Sequence, residues 1–432
     1  MMKRILIFCT LVVFIFQSGY NCLNATAAKS SYQKDGVTIT DKGNYYDVVL
    51  NFNSGFTHKQ VGASFAKGIL ELVPNYEALV DSYIAENLNK NFYNRVLLTV
   101  NDLKPQLHKE YADEIQGMAD VFSGGDQNIR KDNKLSKDEF FLFNLFPDAA
   151  RSTQCSIVSV FGSRSSTRNT IVGRNLDWFG GSKNQLPKIQ AVITIINPKN
   201  KVCSIGFMGY MGMLTGFNDS KIFAGILDSQ SYAPFTSKNK RSYPLDLRFA
   251  LENNITMDET IEFMKNSAKS YTVNHLIAFS DPKETKILEN NFSGKGSSGQ
   301  NVQCGIRSWD SRLNDGVTWG IDNAIGCVNS FMLYGNFDNH NYWKVNYKRW
   351  GNMKRELLSK GTPVTPEELQ KVITYHHGSP GALMDSGDLY NKMTLHSIIF
   401  QPENFSLQIF FRSKNIRKNP VNPVFEKILV FQ

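Results

Sequence analysis

Histidine and cysteine are scarce in this chain, at seven and six of 432 residues. No histidine falls within forty residues of Cys155, and no Cys/His cluster has the spacing of a structural zinc site. Past the first residues there is no apolar run long enough to cross a bilayer as a helix. Dense runs of Lys and Arg are missing too: 48 basic residues lie scattered among 39 acidic ones, for a net charge of +9. That pattern reads as a solvated basic surface and argues against a nucleic-acid partner, while leaving room for weak attraction to an anionic membrane surface. Internal repeats and low-complexity tracts are absent, which excludes a solenoid. What remains is an ordinary globular composition, 41% hydrophobic and 20% charged, in a chain long enough to bury a large core in two or three layers.

The chain opens on Lys3-Arg4, an apolar run over Ile5–Phe16, and small residues at Ala25-Thr-Ala27. This is the pattern of an export signal over residues 1–28, with a retained signal anchor as the alternative. The expected location is extracellular, periplasmic or lysosomal. The mature chain would keep Cys155, Cys203, Cys304 and Cys327, and at most one disulfide is expected, between two of the last three.

Residues 29–56 contain short alternating strands such as Tyr45–Phe52. Helical spacing follows at Phe65, Ile69, Leu70 and Val73, then at Tyr83, Ile84 and Leu88 after Pro74. Asp126–Glu139 lacks the glycine and regular acidic ligands of a calcium loop and reads as a solvated linker. Ser136 with Glu139 caps a helix ending at Asn144, and the small, polar run Pro147–Gln154 is expected to be accessible and strained. Strands then dominate at Ile189–Ile196, Val202–Phe207, Leu214–Asn218 and Ile222–Leu227. Leu245–Leu251 and Met257–Ala268 read as helices, the second opened by a Thr256/Glu259 capping box; Thr365/Glu368 with Pro366 opens another, running to about His376. Two hairpins follow the same logic, one from His275 to Leu288 and one from Thr394 to Phe411. His275 and His396 read as packed strand histidines. Strand-rich stretches flanked by helices suggest an α+β sandwich.

The chemistry concentrates in two segments, Cys155-Ser-Ile-Val-Ser-Val-Phe161 and Val172-Gly-Arg-Asn-Leu-Asp-Trp178. A β-branched strand, a polar turn over residues 162–169 and a second strand make a hairpin. Antiparallel pairing would bring Arg174 and Asp177 beside the Cys155 sulfur, and a close guanidinium favours the thiolate. With no histidine nearby to act as base, cleavage of the Gln154–Cys155 bond would supply one. A free α-amine has a reference pKa of about 7.7, low enough to take the thiol proton at neutral pH. Nucleophile and base would then belong to one residue.

C-S-I-V followed at this distance by G-R-N-L-D is similar to the cysteine N-terminal-nucleophile amidases. These are acid ceramidase and its N-acylethanolamine-hydrolysing relative, the choloylglycine (bile salt) hydrolases and the isopenicillin N acyltransferase family. His58–Gly68 and Tyr111–Asp120 resemble the helices that precede the cysteine in the acyltransferase relatives. The resemblance covers most of the mature chain and is weakest around residues 228–270 and 290–320. It implies a four-layer αββα sandwich over residues 155–432, preceded by a mostly helical segment, 29–154, that stays bound after cleavage as a light chain.

The same resemblance implies roles. Cys155 is the nucleophile, Arg174 stabilises its thiolate and Asp177 orients its amine. Asn218, in the Gly-Phe-Asn turn, and Asn329, at the end of Ala324–Asn329, would hold the oxyanion. Arg349 would brace the site, with Arg355 as its rival. The plainer readings are a turn asparagine for Asn218 and a surface helix arginine for Arg349. The implied activity is hydrolysis of a linear amide in a small N-acyl substrate, of lipid-amide or bile-salt type, through an acyl-thioester and with no metal or organic cofactor. An acyltransferase, a non-catalytic binding protein and a thiol protease assisted by His275 or His340 are the alternatives.

Overall fold

The computed structural model describes residues 30–150, 153–229, 236–266, 271–291, 304–337, 339–340, 344–380 and 387–431, so the expected leader lies outside the described residues. Strands β1 (Ser31–Lys34), β2 (Val37–Asp41) and β3 (Tyr46–Asn51) open the chain. Helices α1 (His58–Leu72), α2 (Tyr76–Asn87), α3 (Lys90–Leu103), α4 (Lys109–Ala119), α5 (Lys137–Asn144) and the single turn α6 (Phe146–Ala149) follow. Next come β4 (Thr153–Val160), β5 (Ile171–Trp178), β6 (Gln190–Ile196), β7 (Lys201–Phe207), β8 (Thr215–Asn218) and β9 (Phe223–Asp228). Helices α7 (Tyr243–Asn253) and α8 (Met257–Asn266) lead to β10 (His275–Ser280), β11 (Thr285–Asn290), β12 (Cys304–Arg307) and β13 (Ala324–Cys327). The chain closes with α9 (Lys344–Leu358), α10 (Pro366–Ile373), β14 (Thr394–Gln401), β15 (Ser406–Phe411) and β16 (Glu426–Ile428).

Ten strands form one sheet in the order β1-β2-β3-β6-β7-β8-β9-β10-β11-β12, and six form another in the order β13-β4-β5-β14-β15-β16. Their inner faces meet: Phe217 on β8 stacks on Phe400 of β14 at 4.1 Å, and Ser159 Oγ on β4 lies 2.7 Å from Thr285 Oγ1 on β11. The outer face of the smaller sheet is covered by α9 and α10, where Val158 and Ile171 join Trp350, Met353 and Val372 in a second core. Helix α1 covers the outer face of the larger sheet, with Ser64 Oγ 3.0 Å from the Tyr32 hydroxyl. The fold is α+β, layered helix–sheet–sheet–helix. With both faces covered, all eight residues of β5 are buried, which is why the segment reads as a near-continuous buried strand despite its charges.

Two glycines explain how α1 and α4 dock. A Cβ on Gly62 would stand 2.2 Å from Glu114 O, and one on Gly117 would stand 2.1 Å from Lys59 O. The helices therefore touch backbone to backbone, an approach that only glycine permits. Below this crossing a buried ion cluster joins the N-terminal helices to α7. Arg248 Nη1 donates to Glu114 Oε2 at 2.5 Å, Arg248 Nε to Glu252 Oε1 at 2.6 Å, and His58 Nδ1 lies 2.7 Å from Glu114 Oε1.

Capping boxes stand at Ser136, Thr256 and Thr365. The helix after Thr365 stops at Ile373, short of His376. Part of the linker after Asp126 is pinned, since Asp81 accepts from the backbone N–H groups of Lys131 at 2.9 Å and Asn133 at 2.7 Å. All four cysteines among the described residues are free thiols, within the limit of at most one disulfide. Of the run before the nucleophile, Pro147 and Asp148 are buried in α6, Ala149, Ala150 and Gln154 are part-exposed, and residues 151–152 lie outside the described residues.

Candidate active site

β4 and β5 pair antiparallel with Cys155 opposite Leu176 and Ile157 opposite Arg174. Cys155 and Arg174 are thus diagonal neighbours on the face turned toward the larger sheet, within reach of a long side chain. Arg174 Nη2 lies 3.7 Å from Cys155 Sγ. The guanidinium is fixed by Thr215 Oγ1, which accepts from Nε at 2.7 Å, and by Leu214 O, which accepts from Nη2 at 3.1 Å. Gly225 on β9 makes the room, because a Cβ there would stand 2.9 Å from Arg174 Nη1. Thr215 Oγ1 is also 3.1 Å from His396 Nε2, so a buried row runs from the sulfur through Arg174 and Thr215 to His396.

Asp177 follows Arg174 by three residues, an odd step, and strand alternation turns it to the opposite face, beneath α9. Its carboxylate accepts from Arg349 Nη2 at 2.8 Å and from Thr394 Oγ1 at 2.7 Å. Arg349 Nη1 donates to Asn329 Oδ1 at 3.2 Å, and the same oxygen accepts the backbone N–H of Cys155 at 2.7 Å. Asn329 Nδ2 in turn donates to Asp228 O at 2.7 Å, while Asn346 Nδ2 donates to Asn329 O at 2.9 Å. The loop after Asn329 is held by the buried carboxylate of Glu289, which accepts from Leu333 N at 3.0 Å and Asn336 Nδ2 at 3.1 Å. Residue 155 is thereby gripped twice, its sulfur by Arg174 and its nitrogen by Asn329.

Burial governs the protonation states here. It pushes the Cys155 thiol up, against the pull of Arg174, and pushes the Asp177 carboxyl up, against the pull of Arg349. It holds His396 well below the usual imidazole range, with Arg174 adding to the effect. The expectation that a close guanidinium makes a thiolate is therefore reversed. Complete burial costs the anion more than one cation returns.

Cys155, Arg174, Asp177, Asn329 and Arg349 are brought together. Asp177 reaches the nitrogen of Cys155 through Arg349 and Asn329 rather than by its own contact. Asn218 stands apart. Its Nδ2 donates to Leu251 O at 2.9 Å and Asn254 O at 3.1 Å, and its Oδ1 accepts from Ile222 N at 3.0 Å. Those bonds tie the end of β8 to the end of α7, so the oxyanion role expected of Asn218 gives way to that of a turn asparagine. His275 stacks on Tyr243 at 4.2 Å, with Nδ1 3.0 Å from Val273 O, as a packed strand histidine. Thr215, Gly225 and Thr394 carry no sequence signal of their own, and His396, a packed strand histidine by pattern, gains its place beside Thr215 only from the fold. The sequence marked Leu214–Asn218 and Thr394–Phe400 as strands, but which of their faces meets β5 depends on the pairing of distant strands.

No family model and no curated protein matches the chain. Among solved structures, a Caenorhabditis elegans orthologue of N-acylethanolamine-hydrolysing acid amidase is similar at 18% identity, over 57% of this chain and 92% of its own, with a TM-score of 0.42. A mutant conjugated bile acid hydrolase from Clostridium perfringens is similar at 11% identity, over 64% of this chain and 97% of its own, with a TM-score of 0.38. A penicillin V acylase from Agrobacterium tumefaciens is similar at 13% identity, over 60% and 83%, with a TM-score of 0.32. The first two are of the kinds that the Cys155 and Gly173–Asp177 segments resemble in sequence. At such scores the functional reading rests on the site itself.

Proposed function

We propose that this protein is an exported cysteine amidohydrolase that cleaves its own Gln154–Cys155 bond and then hydrolyses a linear amide in an N-acyl substrate. The observation that carries the reading is the double hold on residue 155: a cation 3.7 Å from its sulfur and an asparagine oxygen 2.7 Å from its nitrogen. A structural cysteine needs neither.

In the first step the Cys155 sulfur attacks the Gln154 carbonyl carbon, and the peptide C–N bond breaks to leave a thioester and a free α-amine. Water then cleaves the thioester, giving a carboxylate on Gln154 and restoring the thiol. In turnover the α-amine takes the thiol proton, the sulfur adds to the substrate carbonyl, and the departing amine receives that proton. Water releases the acyl group as an acid. Asn329 is the neutral amide nearest the nucleophile, and one well-placed donor to an oxyanion contributes ~2.7–4 kcal/mol. In the continuous chain its Nδ2 donates to Asp228 O, and its Oδ1 accepts the N–H of residue 155, a donor that the α-amine released by cleavage keeps.

Leu214, whose carbonyl holds Arg174, lines an apolar crevice of about 10 Å³ with Trp178, Phe146 and Tyr83, a space that would have to widen to admit an acyl chain. The segment before Cys155 would remain as the protein's own partner, held by the Glu114–Arg248 pair. The test is the intact mass of the mature protein together with a panel of N-acyl amides. Two associated fragments meeting at 154/155, and a Cys155→Ala chain that stays uncut and inactive, are expected. Cleavage or amide hydrolysis by Cys155→Ala would dispose of the reading.

A further inference from the structure

Asn329 holds the nitrogen of residue 155, so whatever fixes Asn329 also fixes the bond to be cut. The asparagine sits at a tight turn, with Ser330 N donating to Val328 O at 2.6 Å across it. On one side lies β13, which ends at Cys327, and on the other an irregular loop over residues 330–337. Such a turn has little stiffness of its own, and its side chain swings with whichever flank moves.

One buried ion pair holds both flanks. Glu289 on β11 and Arg307 on β12 are 0% and 1% exposed, and Arg307 Nε donates to Glu289 Oε1 at 2.9 Å. Arg307 Nη2 donates to Gly326 O at 3.0 Å, three residues before Asn329. Glu289 Oε2 accepts from Met332 N at 3.0 Å, Leu333 N at 3.0 Å and Asn336 Nδ2 at 3.1 Å, on the loop that follows Asn329. Two strands of the larger sheet thereby clamp a turn that belongs to the smaller one. The Arg307 guanidinium also lies 5.8 Å from the Trp350 ring, next in the chain to Arg349, whose Nη1 donates to Asn329 Oδ1.

Stability does not account for this arrangement. A buried ion pair gains little over apolar residues of the same volume, because desolvating both ions offsets their attraction. What the pair supplies is direction, since a carboxylate that accepts several N–H groups at once leaves the loop little freedom to shift.

We propose that Glu289 and Arg307 are positioning residues that set the place of the Asn329 amide and act on the reaction through Asn329 alone. This rests on the amidase reading above, and the experiment separates the two.

The readout is the rate at which freshly synthesised precursor splits at 154/155, followed by intact mass, which requires no added substrate. Glu289→Gln keeps the shape but turns an amide N–H toward the donors that the carboxylate accepts from. Splitting should slow about tenfold, and Asn329→Ala should slow it at least as much. Glu289→Gln/Asn329→Ala should then be no slower than Asn329→Ala, because nothing is left to position. Arg307→Lys keeps the cation and loses the bond to Gly326 O. It should slow splitting about threefold in the wild-type background and not at all in Asn329→Ala, and it carries the test if thermal melting shows Glu289→Gln to be unfolded. Losses that multiply in the double variants make the pair a general element of the fold and overturn the proposal. Wild-type rates in Glu289→Gln and Arg307→Lys, or in Asn329→Ala, overturn it too. In each of these cases the amidase reading stands, because the unaltered chain still splits. A wild-type chain that stays uncut and hydrolyses no N-acyl amide overturns the amidase reading, and the positioning role falls with it.

Discussion

Arg174→Gln removes the cation that touches the sulfur while keeping a polar side chain in its place. Across the 3.7 Å to Cys155 Sγ, a full charge pair at an effective dielectric of 20 is worth about 4 kcal/mol. Relaxation and entering water take back part of this, and if about 2.7 kcal/mol survives, the thiolate population drops by roughly 100-fold. The fold should tolerate the change, because Arg174 is held by a hydroxyl and a carbonyl and removing it also removes the cost of burying a cation. The assay is the rate at which freshly synthesised precursor splits at 154/155, followed by intact mass from pH 6 to pH 10. The variant should lag about 100-fold at pH 7, and because burial pushes the thiol up in both proteins, both rates should climb by about tenfold per pH unit with the lag kept, narrowing only where the wild-type thiol is itself ionised. Equal rates would refute the reasoning. So would rates that do not rise with pH in either protein, since splitting would then not depend on the thiolate.

Gly225→Ala keeps the arginine but occupies its space, with the new Cβ 2.9 Å from Nη1; a smaller lag and a stability loss of about 1–3 kcal/mol are expected, read by the same mass assay and by urea unfolding. Glu114→Gln leaves Arg248 without its two-point partner at 2.5 and 3.0 Å, a loss of about 3–5 kcal/mol. Glu114 and Arg248 lie on opposite sides of the 154/155 bond, so the cut fragments should separate on a sizing column at lower urea than wild type; co-elution at every concentration would count against it. Burial pushes the Asp148 carboxyl up to about 8, with Ser242 Oγ at 2.6 Å pulling the other way. The folded chain therefore keeps a proton that the unfolded chain gives up between about pH 4 and pH 8, and this group's contribution to stability falls as pH rises through that window, by at most about 1.4 kcal/mol per unit. Asp148→Asn should flatten the decline, and urea curves at pH 4.5, 6 and 7.5 that fall in parallel for both proteins would sink the idea.

Local pattern determined a good deal here. Alternating β-branched residues around a polar turn suffice for a hairpin, so local pattern alone puts Cys155 and Arg174 on neighbouring strands. The capping boxes at Ser136, Thr256 and Thr365 are three-residue signals, and each opens a helix as read. The glycines of His58–Gly68 and Tyr111–Asp120 were visible, but their reason, backbone contact between α1 and α4, was not. What the tertiary structure alone decided is everything set by pairing between distant segments. Those pairings put Thr215 and Gly225 against Arg174, gave Asn329 rather than Asp177 the nitrogen of Cys155, and sent the Asn218 side chain to the end of α7. They also settled the competition inside the site. Sequence shows that a guanidinium is close to a thiol, but only the closed packing of two sheets reveals that lost solvation outweighs the attraction.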